Sequence, residues 1–176
     1  NNWYPQDKKE LNNLLDSLMA ENKKQENKKQ EHKINGLIVP HAGYIYSGKV
    51  AGKAFSLLKN QNEQIKQAII LGPSHYTGFY GIRKLENIKI ETPLGKVKIN
   101  EKIINNEKEK EFEKIVYEHS IDNQIPFLQK LNSEVEILPL VIGEISDKDA
   151  EEFAKKLSKV IENVKVLCIF STDLSH

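Results

Sequence analysis

His41, His75 and His176 occupy equivalent places in the chain, because each follows a short apolar run that is rich in β-branched residues. Such runs, bounded by proline or glycine, are typical of buried β-strands. The carboxyl ends of parallel strands meet at one edge of a sheet, which is where open α/β proteins bind ligands. The sequence therefore predicts that these three histidines converge on one site together with Asp173.

Imidazoles beside a carboxylate support more than one kind of chemistry. Neutral imidazole binds Fe(II), Zn(II) and copper, and two histidines with one carboxylate leave positions open for substrate and oxygen. His41 and His75 would then be the metal ligands. Without a metal, His176 or His119 would act as general acid or base. Asp173 would orient His176 or complete a metal shell.

A third possibility is a pocket without catalysis. Histidines and a helix N-terminus, here the one predicted after Ser47, would hold an anion such as phosphate. The spacing leaves these possibilities open, together with turns that are only hydrogen-bonded scaffolding. Cys168 lies inside an apolar run and is predicted to be a small buried hydrophobe rather than a nucleophile. Gly43 and Gly48 fit neither nucleotide-binding fingerprint.

The segments that must position these residues predict an α/β fold. Apolar runs predict strands at 37–39, 67–71, 135–142 and 164–170. Apolar stripes at helical spacing predict helices over 11–19, 51–58 and 150–161. Ser47 and Ser146 are the predicted N-caps of the second and third of these helices, and Pro126 is expected to kink or restart another.

Three further segments are predicted to be structural. The repeat at 22–31 contains no apolar residue, so it is expected to be a solvated helix extension or linker. Alternation about 92–95 predicts a hairpin over 88–99 at the edge of the sheet. The charged stretch 100–113 predicts a surface helix.

Composition favours one globular domain over residues 1–176. The chain has 176 residues, 39% of them hydrophobic, and a net charge of +1. Balanced charge argues against a nucleic-acid or anionic-membrane partner, and a single cysteine excludes an internal disulfide framework. No signal peptide or membrane-spanning run is recognisable, so a cytoplasmic protein is expected. The last strand lacks a covering helix, so the domain is expected to continue beyond His176.

Several motifs, in this order and spacing, resemble the MEMO family. They are VPHAGYIYSG at 39–48, LGPSH at 71–75, TPL at 92–94, EHSI at 118–121 followed by Pro126, and STDLSH at 171–176, with Trp3-Tyr4 near the start. The combination runs through essentially the whole chain. The resemblance implies a three-layer α/β/α fold with a mostly parallel central sheet, like that of class III extradiol ring-cleaving dioxygenases. Those enzymes use non-haem iron held by two histidines and a carboxylate.

The resemblance also implies roles for individual residues. His41 and His75 match the family's metal-binding histidines. Other residues match positions in the family's ligand pocket. The candidate catalytic residues there are His119, His176 and Asp173. The candidate substrate contacts are Trp3, Tyr44 and Ser74.

One element of the family pattern falls outside this chain. The family's third metal ligand is a cysteine in a later segment, and Cys168 precedes Asp173 and so cannot be that residue. The implied cofactor is Fe(II) or copper, and the implied function is a metal-binding redox protein or oxidoreductase. The alternative is a non-catalytic module that holds an anionic or phosphorylated peptide or a small ligand. The residues fix neither the substrate nor the oligomeric state.

Overall fold

The structure, a computed structural model, describes residues 3–20, 33–85, 90–100, 115–163 and 165–174. The helices are α1 (Lys8–Leu18), α2 (Tyr44–Ser56), α3 (His119–Asp122), α4 (Ile125–Leu131) and α5 (Asp147–Asn163), with a 3₁₀ helix at Lys59–Gln64. The strands are β1 (Gly36–Val39), β2 (Gln67–Pro73), β3 (Ile82–Lys84), β4 (Glu91–Thr92), β5 (Gly95–Lys96), β6 (Lys98–Ile99), β7 (Glu136–Ile142) and β8 (Leu167–Ser171).

The central sheet has the order β1-β8-β2-β7-β3. Strands β1, β8, β2 and β7 are parallel, β3 runs antiparallel to the end of β7, and β6 runs parallel to its start. Val39 pairs with Ser171, and Leu71 pairs with Phe170. Because β8 lies between β1 and β2, the turn that follows β8 lies between the turns that carry His41 and His75.

Helices cover both faces of this sheet, and the predicted three-layer α/β/α fold with a mostly parallel sheet is confirmed. Helices α1 to α4 pack on one face, where Leu11, Phe55 and Phe127 are fully buried. Helix α5 covers the other face, where Leu157 packs with Ile69 and its neighbours on the central strands. The predicted apolar stripes of α1, α2 and α5 are thus the buried faces of these helices, and that of α1 packs on α2 and α4.

Most local predictions are confirmed, including the four strands and the restart at Pro126. Pro126 lies in the first turn of α4, where its missing N–H leaves no helical hydrogen bond unmade. The predicted capping pair at the start of α5 forms, since Asp149 N donates to Ser146 Oγ and that hydroxyl donates to the Asp149 carboxylate. Cys168 is buried, and burial raises the pKa of its thiol to about 11, as expected of a buried hydrophobe.

The predicted start of α2 is wrong. The helix begins at Tyr44 with Gly43 as its N-cap, and Ser47 lies in the first turn with its hydroxyl donating to Ala42 O. Tyr44 N donates to Trp3 O at 2.8 Å, so the chain before α1 supplies the partner that a side-chain cap would otherwise provide.

The ends and edges of the sheet also differ from expectation. Strand β2 continues through Gly72 and Pro73, which pair with β7, so the turn begins two residues later than predicted. The hairpin forms as β4 and β5, but as a separate two-stranded sheet, and β6 alone joins the main sheet. Three of the predictions fall wholly or partly outside the described residues. They concern the repeat at 22–31, residue Val164 of the last strand, and the helix predicted at 100–113, of which only Asn100 is described. No helix among the described residues combines the length and apolar character needed to span a membrane.

The contact between α1 and α2 yields a stability prediction at Gly52. A Cβ atom there would lie 2.5 Å from Leu18 O and 2.8 Å from Leu18 Cβ. Alanine within a helix is normally more stable than glycine by about 0.5–1 kcal/mol, but this clash involves backbone that cannot rotate away. We expect Gly52→Ala to lower the free energy of unfolding in urea by roughly 1–3 kcal/mol.

Gly48→Ala is the matched control in the same helix. Its nearest contact, at 3.0 Å, is the flexible end of the Leu18 side chain. Gly48→Ala should therefore lower the free energy of unfolding by less than Gly52→Ala does. Equal stabilities for the two variants would contradict the proposed close approach of α1 and α2.

Candidate metal centre

Three imidazoles meet at the carboxyl edge of the sheet. His41 follows β1, His75 follows β2 and His119 begins α3, and each offers a nitrogen atom within 4.8 Å of the others. The ring centroids of His75 and His119 are 4.2 Å apart, and that of His41 lies 5.1 Å from the first and 5.6 Å from the second. The structure thus brings together His41 and His75 and adds His119 as the third ring. His176 lies outside the described residues.

His41 is held by the turn that follows β8. The residue is 1% exposed, its backbone N–H donates to Asp173 Oδ1 at 2.8 Å, and its Nε2 lies 3.6 Å from Asp173 Oδ2. Its Nδ1 lies 3.1 Å from Ser171 Oγ, and Asn123 Nδ2 donates to its carbonyl oxygen. Asp173 therefore places a carboxylate directly beside the first imidazole.

His75 is held from the opposite direction, by the start of α3. Its backbone N–H donates to Glu118 Oε2 at 2.7 Å, and its Nδ1 lies 2.9 Å from Glu118 Oε1. Ser120 Oγ donates to Pro73 O, and a Cβ atom on Gly72 would overlap that hydroxyl, so glycine is needed for α3 to approach β2 this closely. The His75 side chain is 26% exposed, which makes it the most accessible of the three rings.

His119 lies between Glu118 and an aromatic wall. Its Nδ1 is 3.2 Å from Glu118 Oε1, and its ring stacks on Trp3 at 4.3 Å with an interplanar angle of 4°. Tyr76 approaches the same ring edge-on at 5.4 Å. The predicted aromatic contact Trp3 thus lies against a candidate ligand.

Electrostatics favour the neutral form of the His119 ring. Burial, reinforced by the nearby His75 imidazole, lowers the pKa of His119, while the Glu118 carboxylate opposes that change. Neutral imidazole is the form that coordinates metals, because protonation removes the lone pair.

The donor set fits a transition-metal ion. Metal–imidazole bonds are about 2.0–2.1 Å long, so two nitrogens on one ion lie within about 4.2 Å of each other. The observed limit of 4.8 Å is slightly wider, so small side-chain rotations would complete the contact. Imidazole donors suit zinc, copper, iron and nickel rather than magnesium or calcium.

The other predicted substrate contacts, Tyr44 and Ser74, bond and pack within the protein. Tyr44 is buried, its hydroxyl donates to Asn123 O and its ring packs on Phe127. Ser74 holds its own turn, since its hydroxyl donates to Thr77 O. Tyr44 therefore supports the site from the core, and Ser74 supports it from within the turn after β2.

Two buried contacts of the imidazoles were not anticipated from the sequence. Glu118 is 1% exposed and Ser171 is 3% exposed, and each bonds an imidazole from a distant segment. Glu118 lies directly before His119 in a run of hydrogen-bonding residues, and both Glu118 and Ser171 belong to motifs of the family resemblance. Those motifs did not indicate which histidine each residue contacts.

Comparisons with known proteins agree with the fold and with the motifs. The chain matches the sequence model of the Memo-like proteins over residues 1–176. It is 35% identical over 180 residues to a MEMO1 family protein of Aquifex aeolicus, in a match that covers 99% of this chain and 64% of that protein. It is 40% identical to a MEMO1 family protein of Thermotoga maritima, in a match that covers 80% of this chain and 53% of that protein. It is 31% identical to a MEMO1 family protein of Nitrosopumilus maritimus, in a match that covers 99% of this chain and 66% of that protein. The chain thus spans about half to two thirds of the length of these relatives.

The lowered pKa of His119 predicts a pH dependence of stability in metal-free protein. The His119 imidazole binds a proton more tightly in the unfolded chain, where its pKa has the ordinary value of 6.5, than in the folded chain. The contribution of His119 to the free energy of unfolding is therefore complete above pH 6.5 and is lost as the pH falls through the folded-state pKa. We expect stability to fall more steeply below pH 6.5 in wild type than in His119→Gln, measured by urea unfolding with a chelator present. Parallel pH profiles would contradict this assignment.

Proposed function

This chain belongs to the Memo-like protein family, and from that premise we propose that it is a metal-dependent redox protein whose ion is held by His41, His75 and His119. The observation that carries the proposal is the approach of three imidazole nitrogens, from three separate segments, to within 4.8 Å of one another. Histidine is the commonest metal ligand in proteins, and burial favours the neutral, metal-binding form of His119.

The surroundings of the rings support metal binding. His41 and His75 each have Nδ1 near a buried oxygen, that of Ser171 and that of Glu118. Metal-binding histidines usually bond their second nitrogen in this way. Asp173 Oδ2, 3.6 Å from His41 Nε2, is placed to offset positive charge or to act as a further ligand.

Iron or copper is the proposed ion, because the resemblance to non-haem dioxygenases and the imidazole donors both favour these metals. When bound, such an ion supplies electron transfer and a coordination position for a small substrate. The protein residues exclude water from the His41 side, which is buried, and leave access on the side of His75 and Tyr76. Trp3 holds the plane of His119 by stacking.

The alternative function, a non-catalytic pocket for an anionic peptide or small ligand, has less support from the geometry. It relied on the histidines together with the start of a helix near Ser47. In the structure Tyr44 N donates to Trp3 O, and Tyr46 N and Ser47 N donate to Gly43 O. These amides are already used within the protein.

Metal titration tests the proposal. Metal-free protein would be titrated with Co(II) under anaerobic conditions, and the visible absorption of the bound ion gives the affinity. We expect His41→Ala, His75→Ala and His119→Ala each to weaken binding by more than the roughly 10–100-fold that loss of an outer-shell partner costs. His32→Ala, which changes the histidine directly after the repeat at 22–31, is the control and should bind as wild type. Equal affinities in all five proteins would refute the proposed ligand set.

The redox claim has its own test. The copper-loaded protein should show an electron paramagnetic resonance signal that ascorbate removes and air restores. A bound ion whose signal does not respond would leave metal binding intact but refute the redox function.

A further inference from the structure

We propose that Ser171 and Glu118 are positioning residues that fix His41 and His75 in the tautomer protonated at Nδ1, so that the lone pair of each ring lies on Nε2. The inference rests on the proposed metal-binding function, and it concerns two residues outside the ligand set. A neutral imidazole has one proton and one lone pair, and it binds a metal only through the nitrogen with the lone pair.

The hydrogen bonds of Ser171 determine the tautomer of His41. A serine hydroxyl has one proton to donate and can accept two bonds. Ser171 Oγ donates to Ser120 O at 2.5 Å, so its proton is already used. It accepts from Gln124 Nε2 at 3.0 Å, and the 3.1 Å contact with His41 Nδ1 can then be a hydrogen bond only if the ring is the donor. The lone pair of His41 therefore lies on Nε2.

Glu118 acts in the same way on His75. A carboxylate oxygen accepts hydrogen bonds and cannot donate them. Glu118 Oε1 lies 2.9 Å from His75 Nδ1, while Oε2 accepts from the backbone N–H of His75 at 2.7 Å. One side chain thus fixes both the position of the turn and the orientation of the ring. The proton of His75 is on Nδ1, and its lone pair is on Nε2.

Both positioning groups are isolated from solvent. Glu118 is 1% exposed and Ser171 is 3% exposed. Water cannot readily replace their bonds to the rings, and a buried group that loses its partner has a desolvation cost. The arrangement therefore pre-organises the two nitrogens before an ion arrives, which reduces the entropy lost on binding.

Nitrogen-15 NMR of the metal-free wild-type protein tests the inference directly. Long-range proton–nitrogen correlations distinguish a protonated ring nitrogen from one that carries the lone pair. We expect protonated Nδ1 and unprotonated Nε2 in the neutral rings of both His41 and His75. Protonated Nε2 in either ring would overturn the inference for that ring, whatever any variant does.

Variants test whether Glu118 and Ser171 set these tautomers. Glu118→Gln places an NH₂ group against one of the two N–H donors of His75, and Ser171→Ala removes the acceptor of His41. Each variant should populate the other tautomer of its own histidine and weaken Co(II) binding by about 10–100-fold. Co(II) affinity within twofold of wild type, with unchanged tautomers, would overturn the positioning role.

Controls separate this effect from charge and folding. Asp122→Asn removes a carboxylate of α3 that accepts a hydrogen bond from the Tyr4 hydroxyl. Ser47→Ala removes a hydroxyl that donates to Ala42 O. Both should retain wild-type tautomers and affinity. If wild-type protein shows the expected tautomers but binds no Co(II), the proposed function fails while the tautomer assignment stands.

Discussion

Parallel pairing of β1, β8 and β2, with β8 in the middle, is the constraint on which the candidate site depends. Val39 pairs with Ser171, and Leu71 pairs with Phe170, so three strands end at nearly the same level. The neighbouring turns then lie about one strand spacing apart, roughly 4.8 Å. A one-residue slip of β8 along β1 would turn Ser171 to the opposite face of the sheet and displace Asp173 from His41.

Buried polar bonds hold the turns in place once the strands have paired. Gln124 and Asn123 are fully buried and bond the carbonyl oxygens of Pro40 and His41, respectively. Glu118 holds the turn after β2. Buried polar groups are costly unless they are bonded, so these hydrogen bonds favour the arrangement that gathers the rings. A ligand that binds only the folded site would stabilise the fold further by mass action.

Features that depend on neighbouring residues could be predicted from the sequence, whereas features that depend on contacts between distant residues could not. The strands before His41 and His75 were predictable because short apolar runs report burial locally. Their convergence followed from parallel topology. The start of α2 was not predictable from Ser47, since the partner of Tyr44 N is Trp3 O, about forty residues away in the chain. Strand β3 was missed because Ile82–Lys84 is a strand only through its pairing with β7. The contact of Glu118 with His75 spans 43 positions, and no periodicity encodes such a pair.

In the proposed site, one ion contacts the imidazoles of His41, His75 and His119, which lie in separate segments of the chain. Extended X-ray absorption fine structure of the cobalt-loaded protein measures that coordination most directly. We expect a nitrogen or oxygen shell at about 2.0–2.1 Å with the multiple-scattering pattern of two to three imidazoles. A shell of oxygen or sulfur without that imidazole pattern would contradict it.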